Sequence, residues 1–451
     1  MTRHLLAGAA LLALVGCGES AKLPPEAGVG PNPQLPAPRE TLFPTVNIAE
    51  ASGWTAGEAP VAASGLRVNA FASGLDHPRW LLALPNGDVL VAETNRPKPQ
   101  EGSGGGGIRG FFQKLIMGRA GANAPSADRI TLLRDADGDG VAEVKTPFAT
   151  GLTSPFGMAL VGSTLYVANA DALVALPYTP GATSSGGPAR RIVDLPAGRN
   201  HHWTKSLTAS PDGKRLYVGV GSNSNVAEHG LAEEQGRAAV WEIDPATGQH
   251  RIYASGLRNP VGLAFAPGGP LHAVVNERDE IGSDLVPDYI TSVKAGGFYG
   301  WPWSYWGQHV DTRVEPARPD LVTRAIRPDY GLGSHVAPLG LAFARDSRIG
   351  DGLSSGAFVG LHGSWNRTPR SGYKVVFIPF RDGRPAGAPI DILGSFVDSE
   401  GKARGRPAGV EIAGDGALLV ADDVGNVIWR VSNPRAGADR PVSVGGPSST
   451  R

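Results

Sequence analysis

Three stretches of the chain, NPVGLAF (residues 259–265), APLGLAF (337–343) and RPAGVEI (406–412), share one pattern: a proline, one further residue, a glycine and a short apolar run. Three more runs begin corresponding units, namely HPRWLLAL from His77, SPFGMAL from Ser154 and HWTKSLTAS from His202. A polar turn and a second short apolar run follow each of them, as in LHAVVNE from Leu271 and LLVADD from Leu418. The unit therefore recurs six times.

This recurrence predicts the fold class. Short apolar runs bounded by Gly, Asp and Asn turns are typical of β-strands, and third and fourth runs follow in several units, such as VIWRV at Val427. Six units of four short antiparallel strands predict an all-β, six-bladed β-propeller over residues 61–432. A pair of sandwiches or a long barrel would explain the six-fold recurrence less well.

The composition agrees with a turn-rich β protein. The 451 residues include 63 Gly and 38 Pro, well above the roughly 7 and 5 per cent of average proteins. A hydrophobic content of 41% is enough for a large core and excludes wholesale disorder. The 42 basic and 42 acidic residues cancel, so no global charge attracts nucleic acid or an anionic membrane.

The N-terminus has the features of an export signal. Arg3 and His4 precede an apolar run that is too short to span a bilayer and ends in Leu14-Val15-Gly16-Cys17. This ending resembles the lipobox of bacterial lipoproteins, which implies acylation of Cys17, the only cysteine. We therefore expect a signal peptide over residues 1–16, a lipid-anchored Pro/Ala-rich tether over 17–60 and a disordered tail over 433–451. The expected location is the bacterial cell envelope, with the propeller in the periplasm or on the outer face and the lipid as its only membrane contact.

Polar residues stand at the starts of the repeats. In a propeller the loops that lead into the innermost strands lie on one rim around the central axis, so these residues should converge. Arginine and histidine from several blades on one rim predict a pocket for a multiply anionic ligand, because arginine pairs with carboxylates through two hydrogen bonds. The alternative is a set of solvated rim charges. The rim residues are His201, His202, Arg258, Asn259, Ser334, His335 and Arg406, with the hairpin HGSWNR (362–367) beside them.

Seven motifs carry a family resemblance: HHWTKSL, SGLRNPVGLAF, NERDEIGSDLVPDY, GGFYGWP, SHVAPLGLAF, HGSWNR and GRPAGV. Together they resemble the soluble glucose and sorbosone dehydrogenases that depend on pyrroloquinoline quinone (PQQ), and most closely the sorbosone dehydrogenase-like branch. The resemblance covers roughly residues 66–431. It implies a sugar substrate, PQQ and Ca²⁺ as cofactors, and a downstream electron acceptor that the sequence does not identify.

The resemblance also implies roles for individual residues. His202 takes the place of the general base, and Arg258 and Asn259 match a pair that contacts the quinone. His335 and Arg406 match further cofactor-pocket positions. The backbone carbonyls of Asp279 and Glu280 fall where the family holds a cofactor-bound calcium ion.

Three positions depart from the glucose-oxidising enzymes of this family. A second pocket arginine is replaced by Ala408, and an aspartate behind the catalytic histidine is replaced by Ser222 or Asn223. A cofactor-contacting lysine has no clear counterpart, for which Arg367 and Lys374 are the candidates. These departures bear most directly on substrate preference.

A separate metal motif is RDADGDGVAE, in which Asp135, Asp137 and Asp139 have the spacing that turns alternate carboxylates toward one Ca²⁺. The glutamate of a complete EF-hand loop would fall at Thr146, and Glu143 could replace it. The alternative is a hydrogen-bonded Asp/Gly hairpin turn.

The residues also suit the chemistry of a dehydrogenase. A neutral imidazole is a suitable base for a hydroxyl proton, whereas hydride needs an organic acceptor, and no GxGxxG motif opens a helix here. The sequence leaves two other functions open, a metal-dependent lactonase or esterase propeller and a non-catalytic binding propeller.

Overall fold

Six four-stranded antiparallel sheets make up nearly all of the regular structure. The computed structural model describes residues 19–41, 45–97, 124–350 and 352–434. The strands of the first three sheets are Pro78–Ala83, Val89–Glu93, Arg129–Arg134 and Val144–Ala149; Met158–Val161, Thr164–Ala168, Ala172–Pro177 and Arg190–Asp194; and Lys205–Ala209, Leu216–Val220, Ala239–Ile243 and His250–Ser255. Those of the other three are Asn259–Phe265, Leu271–Asn276, Pro287–Ser292 and Tyr330–Ser334; Pro338–Phe343, Gly356–Leu361, Lys374–Arg381 and Ile390–Gly394; and Pro407–Ile412, Leu418–Asp422, Val427–Ser432 and Arg67–Ser73. The prediction of a six-bladed β-propeller is confirmed, and we number the blades 1 to 6 in this order.

The remaining elements are short. Three two-residue strands extend blades 3, 4 and 5, and two small hairpins complete the set. The strands that extend blades 3, 4 and 5 are Gly297–Phe298, Val29–Gly30 and Val61–Ala62. Ser304–Tyr305 and His309–Val310 form one hairpin, and Arg384–Pro385 forms the other with the end of Lys374–Arg381. The helical turns are Pro25–Gly28, Leu231–Glu234 and Pro319–Val322. Within the described residues no helix has both the length and the apolar character needed to cross a membrane.

Blade 6 closes the ring by combining the two ends of the propeller chain. Its outer strand, Arg67–Ser73, comes from the N-terminal side and pairs antiparallel with Val427–Ser432, with Arg67 opposite Ser432. The hydrogen bonds of this sheet thus join the first and last parts of the propeller chain and hold the ring closed.

The repeated glycine of the inner strands has a packing reason. A Cβ atom on Gly409 would lie 2.7 Å from the carbonyl oxygen of Arg79 in blade 1, and one on Gly340 would lie 2.5 Å from that of Ala408 in blade 6. Inner strands of neighbouring blades therefore approach so closely that no side chain fits between them. This close contact explains why a glycine recurs in the Pro-x-Gly pattern of the inner strands.

The core lies between the blades and includes aromatic rings that pack on one another. Trp80 of blade 1 packs on Phe156, with ring centroids 4.8 Å apart, and Phe156 packs edge-on against Trp203 at 5.9 Å. All three side chains are buried. The Arg79 guanidinium lies 6.0 and 5.9 Å from the rings of Phe156 and Trp203.

The segment expected to be a tether is packed against the propeller wherever the structure describes it. Val29 pairs with Leu332 at the edge of blade 4, and the amide of Asn47 donates a hydrogen bond of 2.8 Å to the carbonyl of Trp365. A Pro-rich chain has no apolar periodicity from which packing could be predicted. Its backbone groups can still form hydrogen bonds with a sheet edge or a loop, and composition gives no sign of such bonds. Residues 45–54, which we call the N-terminal strap, run beside the hairpin 362–370. Cys17, the expected signal peptide and residues 435–451 of the expected tail lie outside the described residues.

Candidate active site

One rim of the propeller collects most of the residues singled out in the sequence. Within an antiparallel blade, the start of the inner strand and the end of the second strand lie at the same edge. His202, Arg258 and Arg406 precede the inner strands of blades 3, 4 and 6, and His335 precedes that of blade 5. They therefore surround one opening, the mouth, as the repeat pattern predicted.

His202 has a fixed orientation. Its Nδ1 atom lies 2.8 Å from the carbonyl oxygen and 3.0 Å from the hydroxyl oxygen of Ser222. A carbonyl oxygen can only accept, so Nδ1 carries the proton and Nε2 is left as the acceptor. Gly221 makes room for this arrangement, because a Cβ there would lie 2.5 Å from the Cβ of His202.

The electrostatics keep His202 neutral. Burial lowers the pKa of the imidazole well below its usual 6.5, and the nearby Arg258 guanidinium and His201 lower it further. A neutral ring with a free Nε2 can accept a proton at physiological pH.

His201 has a different environment from its neighbour. Its amide donates to Asn223 Oδ1 at 3.1 Å, and its carbonyl accepts a hydrogen bond of 2.9 Å from Arg96 Nη2. The two imidazole rings meet edge to face, 4.7 Å apart. Burial lowers the pKa of His201 to about 4. The rings thus point in different directions, as expected from their places in the repeat.

Arg258 is buried, and protein groups engage all its N–H donors. Nη1 donates to the carbonyls of Asn276 and Glu277 at 3.4 and 2.6 Å, and Nη2 and Nε bond to both oxygens of Asn225. The remaining bond, of 3.1 Å, is an ion pair with Asp279. The guanidinium therefore braces a rim loop, and a direct bond to a cofactor carboxylate would have to replace one of these partners.

The backbone carbonyl of Asp279, one of the two expected to hold calcium, is hydrogen-bonded to protein groups. Its carbonyl oxygen already accepts hydrogen bonds of 3.1 Å from Asn225 Nδ2 and from the cationic Arg313 Nη1. Burial would raise the pKa of its carboxyl, but Arg258 and His335 lower it to about 2. Glu280 has a backbone φ of 71° and lines a small cavity beside His335. Calcium at these two carbonyls therefore stays a prediction, and an ion at Asp279 would have to displace these two donors.

Asn259 and His335 complete this side of the mouth. The side-chain oxygen of Asn259 is buried and accepts no hydrogen bond from the described residues. His335 bonds through Nε2 to the carbonyl of Gly282 at 3.0 Å and pairs through Nδ1 with Asp279 at 3.4 Å. Burial alone would lower the pKa of His335, but the bond to Asp279 and the charge of Asp288 raise it. Two acceptors on two ring nitrogens favour the imidazolium form.

Arg406 differs from Arg258 in having spare donors. Its Nη2 lies 3.3 Å from the carbonyl of Ala49 in the N-terminal strap and from the hydroxyl of Tyr373, whose ring lies 5.1 Å from the guanidinium carbon. Its Nε is buried and has no partner among the described residues. A buried, unpartnered N–H of a cation is costly unless an acceptor binds there.

A second charged cluster lies at the mouth, and of its residues the sequence had singled out only His362, as part of the hairpin 362–367. Asp423 accepts hydrogen bonds from Arg79 Nη1 at 2.8 Å and from His362 Nε2 at 2.9 Å, and His77 lies 3.7 Å away. Arg79 Nε is also buried and without a described partner, and the Arg79 guanidinium lies 5.9 Å from the ring of Trp203. These residues start an inner strand or follow a second strand, so the repeat alignment could have found them.

The two candidates for the missing lysine both have protein partners. Arg367 bonds to the carbonyls of Ser283 and Pro369 at 3.0 and 2.8 Å and ties its hairpin to a neighbouring loop. Lys374 pairs with Asp391 at 2.7 Å on an outer part of blade 5. A cofactor contact by Arg367 or Lys374 therefore stays a prediction.

The acidic motif of blade 1 lies on the opposite face. Asp135, Asp137, Asp139 and Glu143 each offer a carboxylate oxygen, all within 4.8 Å of one another. They occupy the turn between the third and fourth strands, which faces away from the mouth. Their oxygens also accept backbone hydrogen bonds, as in an Asp/Gly turn, so both interpretations of this motif are compatible with the geometry.

Comparisons with known proteins agree with the fold. Two solved structures each align with 86% of this chain: the holo form of the pyranose dehydrogenase PQQ domain from Coprinopsis cinerea (TM-score 0.65, 20% identity, 100% of that chain) and a calcium structure of Trichoderma reesei carbohydrate-active enzyme family AA12 (TM-score 0.67, 19% identity, 99%).

Two curated relatives are similar in sequence. An uncharacterised protein of Borreliella burgdorferi is 29% identical over 233 residues, which are 51% of this chain and 60% of that protein. A PQQ-dependent pyranose dehydrogenase of Coprinopsis cinerea is 26% identical over 363 residues, covering 70% of this chain and 44% of that protein. The chain thus spans less than two thirds of the length of either relative.

The TrAA12-like family model matches residues 129–290 and 320–434. The match covers more than half of the chain and includes the strands that carry His202, Arg258, His335 and Arg406. The resemblance to PQQ-dependent sugar dehydrogenases is thereby confirmed, and the chain belongs to the TrAA12-like family.

Proposed function

We propose that the protein is a PQQ-dependent sugar dehydrogenase that oxidises a sugar hydroxyl or an aldehyde hydrate. The observation that carries this proposal is that a proton acceptor and anion-binding donors lie around the same mouth. A neutral imidazole with a free Nε2, His202, stands in blade 3, and Arg406 and Arg79 offer unpartnered donors in blades 6 and 1.

The residues of the mouth fit a multiply anionic planar cofactor. Arg406 and Arg79 each keep a buried Nε without an acceptor among the described residues, and Asn259 keeps a buried oxygen without a donor. Carboxylates and quinone oxygens would satisfy the arginines, and the imidazolium of His335 adds a further positive charge. These four residues would hold PQQ, which supplies the hydride acceptor when bound.

The chain's own chemistry is the removal of the hydroxyl proton. His202 accepts this proton at Nε2 while Nδ1–H remains bonded to the carbonyl of Ser222. That carbonyl, assisted by the hydroxyl of Ser222, takes the orienting role that an aspartate has in the glucose-oxidising enzymes.

The substrate class is part of the proposal. The named relative and neighbour are described as pyranose dehydrogenases, and another neighbour, from Streptomyces coelicolor, as a PQQ-bound aldose sugar dehydrogenase (TM-score 0.52, 18% identity, 83% of this chain). We extend this to a pyranose or aldose substrate here, including a sorbosone-like aldehyde hydrate, with electrons passing to an acceptor outside the protein.

Calcium is the second proposed cofactor. Asp135, Asp137, Asp139 and Glu143 supply four carboxylates at one turn, the donor type that Ca²⁺ prefers. Calcium binding there would stabilise blade 1 from the face opposite the mouth. Isothermal titration with CaCl₂ should show one site that Asp137→Asn weakens, and Asp212→Asn, which alters an exposed turn in blade 3, serves as the matched control.

We also propose that Cys17 anchors the protein in the cell envelope through a lipid, with the propeller outside the cytoplasm.

The alternative of a metal-dependent lactonase has less support. It would need carboxylate ligands on the axis, but Asp279 and Asp423, two buried carboxylates of the mouth, are both engaged by arginine and histidine. A non-catalytic binding propeller would give no reason for unpartnered arginine donors beside an oriented imidazole.

Reconstitution tests the proposal. The purified protein is incubated with PQQ and Ca²⁺, and the absorption spectrum is recorded before and after adding pyranoses and aldoses. We expect a bound-quinone spectrum that changes on addition of sugar, and no such change with His202→Asn. A wild-type protein that binds PQQ but is not reduced by any sugar would refute the dehydrogenase function, and one that binds no PQQ would refute the cofactor.

A further inference from the structure

His362 and Asp423 form a hydrogen-bonded pair across the mouth from His202. Each follows the second strand of its blade, blade 5 for His362 and blade 6 for Asp423, and blade 6 is opposite blade 3 in the ring. The Nε2 atom of His362 lies 2.9 and 3.1 Å from the two carboxylate oxygens. The Asp423 side chain is 1% exposed and that of His362 is 18% exposed.

This contact fixes the tautomer of His362. Asp423 stays ionised because His362, Arg79 and His77 lower its pKa against the effect of burial, so its oxygens can only accept. The proton of neutral His362 therefore lies on Nε2. Nδ1 accepts no hydrogen bond from the described residues and is not among the buried unpartnered atoms, so its lone pair is open.

The surroundings keep this imidazole neutral. Burial lowers the pKa of His362, the carboxylate of Asp423 raises it, and the guanidinium groups of Arg406 and Arg79 lower it again. His77 is the remaining titratable group of the cluster, and burial lowers its pKa to about 4. A proton that reaches His362 would form an imidazolium whose charge Asp423 balances.

Oxidation of a sugar releases two protons once its electrons have left the protein. The O–H and C–H bonds of one carbinol break and a C=O bond forms, two electrons pass to two molecules of an external one-electron acceptor, and two protons remain. His202 can hold one of them. We propose, on the basis of the dehydrogenase function above, that His362 accepts the second proton at Nδ1 and that Asp423 is its positioning residue.

The other imidazoles of the rim suit this role less well. Both ring nitrogens of His335 already face acceptors, the carbonyl of Gly282 and the carboxylate of Asp279. The Nε2 atom of His77 lies 3.7 Å from the carboxylate of Asp423, beyond a normal hydrogen bond, so this carboxylate positions His77 less closely than His362.

The first test needs no cofactor. Nitrogen-15 NMR of histidine-labelled full-length protein should show His362 with a protonated Nε2 and an unprotonated Nδ1 at neutral pH. Asp423→Asn should lower the pKa of His362, since the carboxylate raises it. A protonated Nδ1 in the wild-type protein would overturn the proposal, whether or not the variants fold.

The second test separates the two half-reactions by stopped flow on PQQ-loaded protein. His362→Gln should be reduced by sugar at nearly the wild-type rate, whereas its reoxidation by a ferricenium salt should slow on the order of 10²-fold. His250→Gln, which removes an exposed imidazole from the outer strand of blade 3, should change neither rate. Unchanged reoxidation, or a loss confined to reduction by sugar, would overturn the role of His362. A wild-type protein that no sugar reduces would instead contradict the proposed function, and the NMR result would stand independently.

Discussion

The Nδ1 atom of His202 lies 2.8 Å from the backbone carbonyl oxygen of Ser222. This bond fixes the tautomer as firmly as a carboxylate would, but a carbonyl dipole adds less stabilisation to an imidazolium than a full negative charge does. A base oriented in this way is set up to be neutral in the resting protein. Ser222 thus orients the proposed base through a neutral group.

Replacing the base should separate cofactor binding from catalysis. His202→Asn is expected to keep the bound-quinone spectrum but to slow reduction by sugar about 10²- to 10⁴-fold, the usual loss for a general base. His201→Asn should retain most activity, because the hydrogen bonds of His201 to Arg96 and Asn223 are made by its backbone, which the substitution keeps. Single-turnover absorbance measurements check both variants. A fast His202→Asn and an inactive His201→Asn would move the base by one residue, and two active variants would refute the mechanism.

The pH dependence should reflect the lowered pKa of His202. Burial and Arg258 favour the neutral ring, and the neutral form is the active one, so activity should be lost only as the pH falls through a value well below 6.5. We therefore expect kcat/KM to stay level across pH 6.5 and to decline in more acidic buffer. Arg258→Gln removes a cation that lowers this pKa, so its acidic limb should move to higher pH. An acidic limb centred at 6.5 in the wild-type protein would show that burial does not tune this base.

The two rim arginines should respond differently to truncation. Arg406→Ala removes a donor that has no partner inside the described protein, and loss of one member of a desolvated charge pair costs about 2 to 5 kcal/mol. PQQ affinity, measured by titration of the cofactor-free protein, should fall by roughly tens to thousands of fold. Arg258→Ala should chiefly lower the free energy of unfolding, because it leaves Asp279 and the loop carbonyls without their donor. Equal affinity in Arg406→Ala and wild type would remove Arg406 from the binding site.

Much of the fold follows from local sequence, because the inner strand of each blade makes the same kind of contact with the inner strand of the next blade. Gly340 and Gly409 are required by backbone contacts that recur around the axis, so the repeat is visible in the sequence. Convergence of the strand starts on one rim followed from that periodicity, and it brought His202, Arg258, His335 and Arg406 together.

Individual contacts could not be predicted in the same way. The pairing of Arg258 with Asp279, and the engagement of Asp423 by Arg79 and His362, join residues that are far apart in sequence. No spacing rule indicates which of two rim arginines has a spare donor. The same limit applies to the N-terminal strap, whose contacts are mainly backbone hydrogen bonds that leave no side-chain pattern.

The proposed lipid anchor can be tested independently of the fold. Cys17→Ser removes the site of acylation and should therefore release the protein from membranes. The propeller should keep its thermal stability, because the first described residue, Glu19, already contacts the propeller loop at Ser283. Fractionation with a salt wash measures the release. A variant that remains in the membrane pellet would place the anchor elsewhere.

The last prediction concerns the N-terminal strap and its contact with blade 6. Trp54 Nε1 donates a hydrogen bond of 2.7 Å to the buried carboxylate of Asp422, which also accepts one of 3.0 Å from Trp429 Nε1. Trp54→Phe keeps a ring against Phe396 but removes one donor to a charged acceptor, a loss of about 1.5 to 3 kcal/mol in the free energy of unfolding. Chemical denaturation measures this loss, and limited proteolysis within residues 45–54 should become faster.

The pH dependence of this effect has a definite sign. Burial raises the pKa of Asp422 to about 6, and the indole bond stabilises the ionised carboxylate. Without the indole bond the pKa of Asp422 should rise further, so the difference in unfolding free energy between Trp54→Phe and the wild type should be largest above that raised pKa and shrink as the pH falls toward 6. Trp365→Phe, which alters a partly exposed indole and keeps the backbone bond to Asn47, is the matched control and should cost little at any pH. If Trp54→Phe matched this control in both stability and protease resistance, the strap would be a loosely held segment and not part of the propeller's folded unit.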